Sequence, residues 1–332
     1  MKEIGGYIEL ERNFLPMLHE GAVALNCGSN CLAYLIRARN IRTLRIPYFL
    51  CDCVEETCRK EGTAFRFYRI CNDFTPAPDI RLDDGEWLYV VNFYGQLTAD
   101  QIRDLKHRYD RVIVDNAQAY FDRPLEGVDT LYTCRKFFGV PDGAFLYTDA
   151  KLQEALPRDE SFDRMHFLLG RFEQPASNFY SEYAANNDAL SDEPIKTMSR
   201  LTDNLLRGID YDRVKRIRTE NYRYLHSRLK EINRLDVREI DGAFAYPLLL
   251  ENGAEIRKKL QQEKIYIPTL WPNVVRDGSL EDNYAMNILP LPCDQRYGRE
   301  EMDIVANRIF QYLGGASGSP RSFEFRRNLC GK

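Results

Sequence analysis

Histidine is scarce in this chain: four in 332 residues, His19, His107, His166 and His226, each standing alone. That argues against a histidine-built metal centre, and the nine cysteines offer no replacement. Cys51 and Cys53 form a C-x-C rather than a C-x-x-C, and no later pair completes four ligands. The cysteines lie mostly inside apolar stretches and read as buried thiols in a reducing compartment. Long apolar runs are absent too, so no membrane-spanning helix is expected. The opening MKEIGGYIELERN carries no apolar segment, so no signal peptide is expected and a cytoplasmic location is. A strong charge of one sign is also lacking: 46 basic residues face 50 acidic ones, a net charge of −4. Such a chain has no field that would collect nucleic acid or anionic lipid. There is no P-loop, no G-x-G-x-x-G and no internal repeat.

What is present is an alternation. GAVALN leads into CLAYLIRARN, where Leu32, Leu35 and Ile36 recur at helical spacing. The strand-like TLRIPYF, the helix CDCVEETCRKEG closed by Gly62, and strand AFRFYRI come next. Strand EWLYVVNFYG, helix ADQIRDLKHRY and strands RVIVDNA, TLYTCRK and AFLYTD complete the first half. Continuously apolar strands separated by helices predict an α/β fold, a three-layer α/β/α domain with a mostly parallel sheet, over residues 1–155. Residues 156–200 are polar and read as an irregular bridge. A smaller α+β domain is expected over 201–315: helix DRVKRIRTENYRYLHSRLKEINR, strand AFAYPLLL, helix AEIRKKLQQEKI, strand YIPTL and helix REEMDIVANRIFQYL. Residues 316–332 read as an exposed tail.

Ligands collect at the carboxyl ends of strands in such sheets, and three strand ends carry suitable chemistry. Gly28, Ser29 and Asn30 open a helix, where free N–H groups and the positive dipole end suit a phosphate; Ser29 or Asn30 could equally be an ordinary helix cap. Asp115 closes an apolar strand, where its carboxylate needs a cation or good hydrogen bonds, and Gln118 follows three residues later. Lys136 stands between strand TLYTC and Phe137–Phe138. Taken alone it reads as a surface lysine at a strand end, whereas in apolar surroundings its pKa would fall and its neutral amine could attack a carbonyl. An anion cradle, a carboxylate and a carbonyl-reactive lysine, in that order, are the anchors of pyridoxal phosphate.

With these runs the chain resembles the DegT/DnrJ/EryC1/StrS sugar aminotransferases, pyridoxal-phosphate enzymes of fold type I. The segments that carry the likeness are VDNAQAY, YTCRKFFG and PDGAFLYTD, with VVNFYGQLTADQI ahead of them and LPLPCDQRYGREEMDIVANRI near the end. The resemblance implies an aspartate-aminotransferase-like fold whose large domain binds the cofactor. Lys136 would be the Schiff-base lysine and proton shuttle, Asp115 the partner of the pyridine nitrogen, and Gln118 a ligand of the phenolic oxygen. Gly28, Ser29, Asn30 and the Thr133 hydroxyl would hold the phosphate. Asn178, in the bridging segment, would reach the phosphate of a partner subunit in a homodimer. Tyr48, Phe49 and Cys51 are candidates for the ring's face. Gly143–Ala144 stands where the family commonly has two glycines.

The activity implied is transfer of an amino group, from glutamate, to a keto-sugar carried by a nucleotide, in polysaccharide or glycan synthesis. Arg135, Trp271, Arg296 and Tyr297 could contact the nucleotide or be ordinary surface and core. A different reaction on the same cofactor, a dehydratase or amino-acid transaminase, remains open, as does a cofactor-retaining protein that no longer catalyses.

Overall fold

The computed structural model describes residues 4–314, so the expected tail at 316–332 lies outside the described residues. The first half comprises β1 (Val23–Leu25), α1 (Gly28–Ala38), β2 (Thr43–Pro47), α2 (Asp52–Lys60), β3 (Ala64–Tyr68), β4 (Trp87–Val91), α3 (Ala99–Tyr109), β5 (Val112–Asp115), β6 (Asp129–Thr133) and β7 (Ala144–Tyr147). All seven strands join one sheet in the order β1-β7-β6-β5-β4-β2-β3. The β3, β2, β4, β5 and β6 strands run parallel, while β7 is antiparallel to both β6 and β1. Two reversals restore direction, so β1 points the same way as β6. The carboxyl ends of β1, β2, β4, β5 and β6 therefore share one edge.

Burial explains the composition of the central strands. Every residue of β5 is buried, as is all of β4 but Trp87, because helices cover both faces of a parallel sheet. Helix α3 starts where TADQ dictates: the Thr98 side chain accepts from Gln101 N, and Gln101 returns a bond to Thr98 N, a capping box.

The segment read as an irregular bridge instead holds α4 (His166–Glu173) and α5 (Tyr180–Asp192). In α5 only Asn186 and Leu190 are buried, so the sequence shows no apolar stripe from which to recognise a helix. After α6 (Arg200–Leu206), the rest comprises α7 (Tyr211–Leu229), β8 (Ala245–Leu249), α8 (Gly253–Gln262), α9 (Leu280–Asn287), β9 (Ile288–Pro292) and α10 (Arg299–Tyr312). YIPTL is not a strand; the partner of β8 is ILPLP, paired antiparallel with Pro247 opposite Pro290. Proline cannot donate to a ladder, but a two-stranded sheet has only edges, so the missing donors fall where no third strand needs them.

The chain bearing Lys136 is anchored through Gly143. Its N–H donates to Asn26 O at 2.6 Å and its carbonyl accepts from Cys134 N at 3.0 Å, tying the start of α1 to the turn after β6. The residue has φ +112°, and a Cβ there would lie 2.9 Å from Thr202 Cγ2 and 3.3 Å from Cys134 Sγ. Gly143→Ala should therefore cost roughly 1–3 kcal/mol in urea unfolding, from positive-φ strain plus crowding; parental stability would show that the backbone relaxes freely here.

Candidate active site

A cavity of 640 Å³ opens at the carboxyl edge of the large sheet. That volume suits a small-molecule ligand. Its walls include Gly28 and Ser29 from α1, Cys51 and Cys53 at the start of α2, Asp115, Gln118, Thr133, Arg135 and Lys136, with Tyr183 and Asn187 from α5 and the buried Trp271. Gly28, Cys51, Asp115 and Lys136, far apart in sequence, meet here because each lies at or just after the carboxyl end of a strand.

Asp115 is buried, and its carboxylate is held from two directions. Oδ2 accepts from the Tyr89 hydroxyl at 2.8 Å and Oδ1 from Ala117 N at 2.8 Å. Burial, with the Asp115 charge adding to it, pushes the Tyr89 phenol well above its usual range, so it stays a donor at any physiological pH. Tyr89 was not recognised in the sequence. In β4 it reads as one more apolar strand residue, and only the register that sets Tyr89 opposite Ile113 brings it beside the acid. Gln118 is buried and its Oε1 accepts from Tyr94 N at 2.7 Å, which leaves the amide nitrogen to donate elsewhere.

Lys136 corrects one expectation. It lines the cavity but is solvent-exposed in the single chain, not held dry. After Thr133 the backbone turns, with Phe137 N and Phe138 N both bonding Cys134 O at 2.9 Å. The turn buries Phe137 and Phe138 in an aromatic cluster with Tyr120 and leaves Lys136 on its outer side, with Nζ 5.9 Å from the Phe244 ring centroid.

At the start of α1 the N-cap position is taken by Cys27, which makes no side-chain cap bond, and the first turn has no acidic residue. Ser29 and Asn30 are thus not caps. A Cβ at Gly28 would meet nothing within 4 Å, so the backbone there faces open space. Free N–H groups at a helix start are an anion site in waiting. Asn30 does not join it: its Nδ2 is spent on Asn26 Oδ1 at 2.9 Å and on the carbonyls of Glu193 and Pro194. One helical position beyond Ser29 turns it from the cavity toward the chain that follows α5. Asn178 also lies outside its own chain's cavity, exposed and 3.5 Å from Gln174 Oε1.

Of the candidates for the ring's face, Cys51 lines the cavity, Phe49 is core, and Tyr48 stacks on Phe67 outside it. A hydrogen bond from Cys53 holds the Cys51 thiol below its ordinary value, with a smaller push from the Lys136 charge. Arg135 and Trp271 are in the walls, whereas Arg296 is bound to Asp294 and, like Tyr297, stands apart. The α5 wall was invisible to sequence reasoning for the same reason as α5 itself.

The residues fit the cofactor anticipated from the sequence. An uncapped helix start, a twice-bonded carboxylate and a lysine share one cavity of sufficient size. Among the described residues, no group of histidine, cysteine and carboxylate side chains could hold a metal, and no helix is long and apolar enough to cross a membrane.

The architecture is a mostly parallel seven-stranded sheet with a cleft at its carboxyl edge. No family model and no curated protein matches the sequence, but solved structures match the fold. DesV of S. venezuelae, in complex with a ketimine intermediate, aligns over 89% of this chain and 85% of its own, with 18% identity and a TM-score of 0.63. A DegT/DnrJ/EryC1/StrS aminotransferase from Brucella abortus aligns over 89% and 87%, with 14% identity and a TM-score of 0.60. NtdA of Bacillus subtilis, with bound cofactor PMP, aligns over 89% and 73%, with 14% identity and a TM-score of 0.64. The chain shares the fold of these aminotransferases.

The Tyr89 bond to Asp115 can be measured directly. Tyr89→Phe should fold and lose about 1–2 kcal/mol at neutral pH. In a double-mutant cycle with Asp115→Asn, urea unfolding should show coupling of about 0.5–3 kcal/mol; strict additivity would mean the phenol and carboxylate do not interact.

Proposed function

We propose that this protein is a pyridoxal-phosphate-dependent aminotransferase that delivers an amino group, from glutamate, to a keto-sugar carried by a nucleotide. The observation that carries the reading is the meeting of Lys136, Asp115, Gln118, Thr133 and the uncapped start of α1 in one cavity. The shared fold supports it, as does the cofactor form bound by NtdA. The sugar and its nucleotide carrier follow from the resemblance of VDNAQAY and YTCRKFFG to the sugar aminotransferases.

When bound, pyridoxal phosphate supplies a conjugated ring that stores the electron pair left as a C–H bond breaks. Asp115, its oxygens already fixed by Tyr89 and Ala117 N, offers negative charge to a ring nitrogen and favours the protonated form. Gln118 donates its amide to a ring oxygen. The Ser29 and Thr133 hydroxyls and the first amides of α1 would hold the phosphate. Lys136, whose amine lines the cavity, would hold the cofactor and would serve as the proton carrier at the substrate carbon. Cys51, which lines the cavity, would be the residue at the ring's face.

The same reading includes a homodimer. Phe172 and Tyr180 are exposed on and beside α4 and α5, at 93% and 68%, and Tyr7 in the extended N-terminal arm at 98%. So much apolar surface next to a cavity wall is what a second copy would cover. Asn178 lies in this region, as a residue serving a partner's cavity must.

Two measurements test the reading. Borohydride reduction with pyridoxal phosphate should place a pyridoxyl mass on the peptide containing Lys136, with none in Lys136→Ala; labelling elsewhere, or nowhere, would sink the assignment. Light scattering should give twice the 38.8 kDa chain mass, and Phe172→Asp should weaken that dimer. A monomer at micromolar concentration would remove the role given to Asn178.

A further inference from the structure

Arg135 is a cavity cation that, among the described residues, makes no ion pair. Its side chain is partly buried and lines the wall beside Lys136. Among the described residues no carboxylate lies within ion-pair distance, and its hydrogen-bond partner is the neutral Asn187 Oδ1. The nearby Asp142 is occupied, accepting from Ser199 N at 2.9 Å, from Ser199 Oγ at 2.7 Å and from Thr202 Oγ1. Asp115 faces Tyr89 and Ala117 N. The remaining acids of the wall, Asp52, Glu56, Asp188 and Asp192, are all solvent-exposed and so belong to the rim.

Burial holds the Arg135 guanidinium below its ordinary value, while the Cys27 thiol feels its positive charge. Arg135 lines the same cavity as Gly28 and Ser29, the first residues of α1. A helix N-terminus and a desolvated cation on one wall, with no anion of the protein's own, form a positive well that costs free energy until an anion fills it.

We propose that Arg135 is the charge-pairing ligand of a phosphate monoester seated at the start of α1, the phosphate of the cofactor. The inference rests on the cofactor reading above. The chemistry favours a monoester over a carboxylate: three acceptor oxygens and nearly two negative charges match a guanidinium fork, backbone amides and the Ser29 and Thr133 hydroxyls together. It favours the cofactor over a substrate diphosphate because Thr133, Arg135 and Lys136 share one short stretch of chain. A phosphate held at its start leaves the ring between Lys136 and Asp115.

Apoprotein from hydroxylamine dialysis should be titrated with pyridoxal phosphate and with pyridoxal, which lacks the phosphate. In Arg135→Gln the Kd for pyridoxal phosphate should rise roughly tenfold to a hundredfold while that for pyridoxal stays within about twofold. Arg135→Lys should recover part of the loss, and near-parental thermal melting of both apoproteins should show that the fold is intact. The phosphorus resonance of bound cofactor should shift between parent and Arg135→Gln. Unchanged affinity for pyridoxal phosphate in Arg135→Gln overturns the proposal, and so does an equal loss for both ligands. A loss confined to nucleoside diphosphate binding also overturns it, assigning the arginine to substrate. If the parent chain binds neither form at Lys136, the cofactor reading itself has failed.

Discussion

Parallel pairing of β5 with β6, Asp115 opposite Leu131, is the constraint on which the rest depends. It sets the end of the acid's strand beside the end of the lysine's strand. A slip of one residue would turn Asp115 to the other face of the sheet and away from the cavity. The register is held because both strands are buried along nearly their whole length, so any other pairing would expose apolar side chains. Precision at the site is a by-product of core packing.

Around that pairing the site is assembled from chain ends rather than from any one motif. The antiparallel β7 lies between β1 and β6 and returns the start of α1 to the edge that carries Lys136. The turn bearing Lys136 is then clamped from the far half of the chain. The Phe137 carbonyl accepts from Arg218 Nη2 at 3.1 Å and from Gln295 Nε2 at 2.8 Å. Arg218 is fully buried on α7, lies 4.6 Å from the Phe137 ring, and also bonds Ala243 O at 2.9 Å. Among the described residues it has no carboxylate partner and is satisfied by carbonyls, a side-chain amide and a ring. The second half of the chain thus reaches the lysine through its backbone neighbour.

The charge pattern of the cavity follows from the same geometry. Acids stand at the exposed rim, while the buried carboxylate of Asp115 is hydrogen-bonded by Tyr89 and Ala117 N. Positive potential collects deeper, at the α1 start and Arg135. An ampholyte with an anionic group at one end and a cationic ring nitrogen at the other matches that polarity.

Much of this was legible in the sequence. The continuous apolar runs ending in Asp115 and before Lys136 announced buried parallel strands, and carboxyl-end chemistry follows from that topology alone. The order of Ser29, Asp115 and Lys136 also suggested the ligand. What the sequence could not supply were partners chosen across the sheet: Tyr89 beside Asp115, Asn30 turned toward the carbonyls after α5, and α5 itself as a wall. The exposure of Lys136 belongs to the same class, since it depends on which side of a turn the aromatic residues occupy. Local pattern determines which element forms and which face is apolar, because those are properties of neighbours in the chain. Which polar side chains meet, and which charge is left unpaired, is decided only when distant strands take their register.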